Sequence, residues 1–77
     1  MDQAPPRFLT LEQVAKELNT SDAQIYALVR RGELPAIRLG GRGQWRVERG
    51  RLEEFISQLY SETQQYVKDN PLSGGDD

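Results

Sequence analysis

Between Ala23 and Arg46 the chain sets out side chains whose chemistry is recognition of anions and base edges. Ala23, Gln24, Tyr26, Ala27 and Arg30 recur at helical spacing on the face left over by Ile25, Leu28 and Val29. A basic, glycine-rich segment follows, Gly40-Gly41-Arg42-Gly43, and then Gln44 and Arg46. Arginine makes forked hydrogen bonds with phosphate and guanine. Glutamine meets the adenine edge with two bonds, and an alanine methyl meets the thymine methyl. Covalent chemistry has far less to work with. The chain has no histidine and no cysteine, which excludes imidazole and thiolate chemistry, zinc ligation by those groups and any disulfide. Thr10, Ser21 and Ser61 therefore have no histidine to activate them as nucleophiles. Glu53 and Glu54 are adjacent on a helix and do not share a face, so they form no carboxylate dyad. The stretch LGGRGQWR lacks the lysine-serine/threonine ending and the following helix of a phosphate-binding P-loop. No catalytic residue, metal or cofactor is expected.

The net charge of −2 conceals a strong asymmetry. Residues 7–51 hold nine Arg or Lys against five acids, a local charge of +4, whereas residues 52–77 hold one Lys and six acids. Binding follows local potential rather than the total, so the basic segment is the candidate for a polyanionic partner. Eight of the ten cations are arginine, which favours forked contacts over simple charge. The competing reading of the same charges is a solvated, salt-bridged surface.

These side chains need elements to hold them. The 77 residues suit one small domain with a single modest core. Residues 1–7 are expected to be a flexible, proline-bearing arm, and Phe8 and Leu9 to begin the packed domain. Thr10 is placed as an N-cap, with Leu9 as a staple residue. The first helix then buries Leu11, Val14, Ala15 and Leu18 as one stripe and ends at Asn19 and Thr20. Ser21 caps a second helix, and Gln24 three residues on gives the form of a capping box. Gly32 suits the left-handed position after that helix, and Pro35 blocks its continuation.

Ala36–Leu39 and Gln44–Val47 read as a hairpin closed by the glycine-rich segment. Alternation points Ile37, Leu39, Trp45 and Val47 to one face, and Arg38, Gln44 and Arg46 to the other. A third helix from about Arg49 turns Leu52, Phe55, Ile56 and Leu59 inward. Its pattern continues weakly through Thr63, Tyr66 and Val67, so residues 60–67 are expected to pack on the first helix or to form a weak self-association surface. The domain is expected to span 8–68, with a disordered tail over 69–77. The order α-α-β-β-α, mainly α with a small two-stranded hairpin, is that of a winged helix-turn-helix.

Several roles have a plainer alternative. Gln24 either closes the cap of the second helix or reads a base. Tyr26 is either a half-buried ring at the core's edge or a phosphate contact. Arg31 is either a phosphate contact or a charge that offsets the dipole at the helix C-terminus. Trp45 is placed in the core beneath the sheet. Arg42, flanked by glycines, either approaches a phosphate or a narrow minor groove, or simply solubilises a hairpin loop.

The span from Phe8 to Ile56 resembles the excisionase-type, MerR-like winged helix-turn-helix domains of bacteria and phages. The resemblance rests on Leu9-Thr10-x-Glu12-x-Val14-Ala15 and on Ile25-Tyr26-x-Leu28-Val29-Arg30-x-Gly32-Glu33-Leu34-Pro35. It continues through Arg38-Leu39-Gly40, Trp45-Arg46-Val47 and Leu52-Glu53-Glu54-Phe55-Ile56. It implies a cytoplasmic protein that binds double-stranded DNA, with the second helix in the major groove and the wing over the backbone or minor groove. Contact roles would then fall to Tyr26, Arg30, Arg42 and Arg46. Three departures stand out. Ala27 replaces a residue that is often basic or polar, Asp22 opens the second helix with a negative charge, and the wing carries Arg42 where a basic cluster is common. They imply that several copies or a partner contribute to affinity.

Two classes of function follow. The first is a DNA-binding transcriptional regulator or recombination factor. The second is a protein-interaction adaptor that uses the same scaffold and its acidic third helix, with a weak homo-oligomer or a protein as the other partner. No membrane partner and no small-molecule cofactor are expected.

Overall fold

The computed structural model describes residues 5–70. Residues 1–4 and 71–77, most of the expected arm and tail, lie outside the described residues. The order of elements is β1 (Phe8–Leu9), α1 (Leu11–Leu18), α2 (Asp22–Arg30), β2 (Ile37–Leu39), β3 (Gln44–Glu48) and α3 (Arg49–Asp69).

Local chemistry sets the helix ends. Thr10 Oγ1 accepts the Gln13 N–H at 3.0 Å, and Gln13 Oε1 accepts the Thr10 N–H at 2.9 Å. This closed capping box satisfies donors that α1 would otherwise leave free. Asn19 ends α1 with φ of 56°, in the left-handed region that asparagine tolerates. Ser21 caps α2 by accepting the Gln24 N–H at 3.1 Å. At the other end of α2, Gly32 takes φ of 77°. Its N–H donates to the Val29 carbonyl at 3.0 Å, and the Glu33 N–H donates to the Leu28 carbonyl at 2.9 Å. These two bonds complete a Schellman motif and turn the chain sharply towards the sheet.

The sheet has three antiparallel strands in the order β1-β3-β2, one more than the expected hairpin. Phe8 pairs with Glu48 and Leu9 with Val47. A two-residue strand is too short to show alternation, so its pairing depends on where β3 lies. The main correction concerns the hairpin. Ile37 is opposite Arg46, Arg38 opposite Trp45, and Leu39 opposite Gln44. Directly opposed residues share a face of an antiparallel pair. Ile37 and Leu39 therefore stand with Gln44 and Arg46, not with Trp45 and Val47, and are 47% and 43% exposed. Arg38 moves to the opposite face, over Trp45.

The core contains Leu9, Val14, Ala15, Ile25, Val29, Leu34, Val47 and Leu52. It gathers one or two side chains from every helix and from the two strands β1 and β3, and it leaves the other face of α2 to solvent. Leu28, Trp45, Phe55 and Ile56 pack around it, partly buried. From Leu59 onward the pattern on α3 leaves the core, and Leu59 itself is 39% exposed rather than turned inward as expected, because α3 runs past the end of the packed domain. Tyr60 and Thr63 border Leu18 of α1 around an open apolar depression, but Tyr60, Tyr66 and Val67 are 68%, 65% and 56% exposed, so residues 60–67 are not buried against α1 as expected. Hydrogen bonds within α3 accompany this stretch, from Gln58 to Glu62 at 3.1 Å and from Gln65 to Asp69 at 3.2 Å.

Candidate nucleic-acid interface

The exposed face of α2 is built by its two ends. The Ser21 cap fixes the first turn, the Gly32 turn fixes the last, and Ile25 and Val29 anchor the inner side. Ala23, Gln24, Tyr26 and Arg30 are exposed and Ala27 is half-buried. The backbone half of the capping box forms at Ser21. The reciprocal bond from the Gln24 side chain, present in the equivalent place at Thr10, is not formed among the described residues. The Gln24 amide is thus not held by the cap. Asp22 occupies the first turn, where its charge suits the helix dipole.

Tyr26 and Arg30 act as a unit. Arg30 NH1 donates to the Tyr26 hydroxyl at 3.0 Å, and the guanidinium carbon lies 5.7 Å from the ring centroid. Tyr26 is exposed and serves as a rest for the arginine, one turn further along the helix.

The wing is set by Gly40 and Gly43, whose φ angles of 68° and 71° close the loop. Arg42 is exposed between them and makes no ion pair or hydrogen bond among the described residues. Gln44 and Arg46 share the outer sheet face with Ile37 and Leu39. Arg46 donates to the Trp45 carbonyl at 2.9 Å and lines a shallow depression with Phe8, Ile37, Glu48 and Arg51. The opposite face of the hairpin, carrying Arg38 and Trp45, faces α2 across an open cleft lined by Tyr26, Val29, Arg30, Arg38, Gly43 and Trp45. The candidate residues therefore form two groups. Tyr26 and Arg30 adjoin this cleft, while Gln44 and Arg46 lie on the far side of the sheet.

Arg38 was missed by alternation because the relative phase of the two strands depends on the turn. Four residues, Gly40 to Gly43, separate the closing pair Leu39 and Gln44. An even number of loop residues puts odd positions of one strand beside even positions of the other, and that count was the available signal.

The arginines also divide by partner. Arg7 pairs with Glu48 and Arg31 with Glu33, each at 3.0 Å. Arg49 pairs with Glu53 at 3.8 Å and Arg51 with Glu54 at 3.5 Å. The remaining four, Arg30, Arg38, Arg42 and Arg46, have no carboxylate partner among the described residues. Exposed ion pairs add little stability, but they cancel the field of the cations they hold. Among the described residues the unpaired arginines are thus confined to α2 and the hairpin, while Lys16 on α1 and Lys68 on α3 are the other cations without a carboxylate partner.

Two short capped helices joined by a tight turn, with a hairpin beside the second, define a helix-turn-helix protein with a wing. The family model for the helix-turn-helix domain matches residues 8–60, more than half of the chain, and the chain belongs to that family. The match is consistent with the excisionase-type resemblance carried by its motifs. No curated protein and no solved structure matches the chain significantly. No helix among the described residues is long and apolar enough to cross a membrane.

Proposed function

We propose that this chain binds duplex DNA and acts as a transcriptional regulator or an excisionase-like architectural factor. In this reading α2 lies in the major groove and presents Ala23, Gln24, Tyr26, Ala27 and Arg30. Arg42 at the tip of the wing reaches the adjoining backbone or minor groove, and Gln44 and Arg46 line its approach. The observation that carries the reading is the division of the arginines. The four without carboxylate partners among the described residues all belong to α2 and the hairpin, the two elements a winged helix-turn-helix turns towards DNA. Such a domain binds rather than catalyses.

The two arms have different physical roles. The second helix, capped and anchored, is rigid enough to read base edges. A loop arginine is suited to phosphate or groove shape. The test begins with a preferred duplex enriched from a random-sequence pool. Arg42→Ala should weaken binding to that duplex and to random duplex by similar factors. Gln24→Ala should cost about 1–3 kcal/mol on the preferred duplex alone, as loss of a bidentate base contact does. If Arg42→Ala abolishes the preference and Gln24→Ala preserves it, the roles are reversed.

A second reading has its own observation. Tyr60, Tyr66 and Val67 are exposed on α3, flanked by Glu62 and Asp69. This favours an adaptor in which α3 docks on another protein. It requires that removal of residues 61–77 abolish association with a partner while DNA plays no part.

A further inference from the structure

The cleft between α2 and the wing has a volume of about 550 Å³ and is open to solvent. Two arginines line it, Arg30 from the helix and Arg38 from β2. Each is supported by an aromatic ring. Arg30 rests on Tyr26, bonded to its hydroxyl at 3.0 Å, and Arg38 lies over Trp45 with its guanidinium carbon 5.8 Å from the ring centroid. Trp45 is in turn packed against the core, so this support is fixed to the body of the domain. No acid lines the cleft, and neither arginine has a carboxylate partner among the described residues.

Like charges lining one cleft repel, and an anion between them removes the repulsion while bonding to both. Resting each side chain on a ring also reduces the rotamer freedom lost on binding. Val29 and Gly43 complete the lining and add no competing acceptor side chain.

We infer that Arg30 and Arg38 together grip a single phosphodiester of the DNA backbone, with Tyr26 and Trp45 as positioning residues. The inference rests on the DNA reading and adds to it a residue, Arg38, and a stoichiometry of two arginines to one phosphate. The clamp joins helix and wing, so the position of the phosphate fixes how deeply α2 enters the groove.

The stoichiometry can be measured. The logarithm of affinity falls with the logarithm of salt concentration by about 0.9 for each phosphate neutralised. The full chain, Arg30→Ala, Arg38→Ala and the double variant are titrated with salt against a short random-sequence duplex. Arg30 and Arg38 are exposed, and melting curves check that each variant folds. One arginine suffices to neutralise a shared phosphate. Either single variant should therefore weaken binding at fixed salt and retain the slope, and the double variant should lose about 0.9 from it. Trp45→Leu should weaken binding in the parent and have no further effect in the Arg38→Ala background, whereas Trp45→Phe should retain the parent affinity. Single variants that each lose about 0.9, with a double that loses about 1.8, would mean two separate phosphates and overturn the clamp alone. Four proteins with the same affinity and slope would do the same. A flat titration of the unaltered chain overturns the clamp and the DNA reading together.

Discussion

Replacing Gly32 tests the joint on which the site depends, because this residue ends α2 and starts the path to the wing. Its φ of 77° lies where an L-residue sets its Cβ against a carbonyl oxygen, at a cost of roughly 1–2 kcal/mol. A Cβ built at Gly32 meets nothing within 4 Å, so packing adds no further cost. Alanine also stiffens the unfolded chain, which returns about 0.4–1 kcal/mol. Gly32→Ala should therefore destabilise the domain by about 1 kcal/mol, a fall in Tm of roughly 4–8 °C for a domain of this size. Gly32→Asn should cost about half as much, since asparagine tolerates the left-handed region. Asn19 already does so at the end of α1. Thermal unfolding followed by far-ultraviolet circular dichroism reads all three proteins. An unchanged Tm for Gly32→Ala, or an equal fall for alanine and asparagine, would refute the assignment of the cost to backbone conformation.

Two further predictions concern the supports of the site. Ser21→Ala removes the side-chain bond that caps α2 and should cost about 1 kcal/mol in chemical denaturation. The salt slope of DNA binding should remain unchanged, because no arginine is lost. Truncation after Tyr60 should shift Tm by less than about 4 °C, because the exposed Tyr66 and Val67 contribute little burial. A larger fall in a melting experiment would show that the distal half of α3 supports the core.

The helices were legible in the sequence because their signals are local. Thr10, Ser21 and Gly32 each act within a few residues of their own position, and the structure places all three as caps or turns. The sheet was less legible because its information is relational. Alternation holds along each strand, but the phase between strands comes from the four-residue loop. That shift put Ile37 and Leu39 outside and Arg38 over Trp45. β1 exists only because β3 offers an edge to Phe8 and Leu9. On α3 the apolar spacing past Leu59 is real, but α1 reaches it only at Leu18, so Tyr66 and Val67 stay exposed. The arginines could be counted from sequence, whereas their division into paired and unpaired required the third dimension.

The most direct test of the central claim is a salt titration of the unaltered chain on random-sequence duplex DNA. With Arg30 and Arg38 sharing one phosphate and Arg42 reaching a second, two phosphates are neutralised, and Arg46 on the far sheet face adds at most one more. The logarithmic slope should be about −1.8 to −2.7, so affinity should fall by roughly 12- to 40-fold between about 50 and 200 mM salt. Binding that is independent of salt, or absent at the lowest salt, would contradict the account and transfer the weight of evidence to the exposed face of α3.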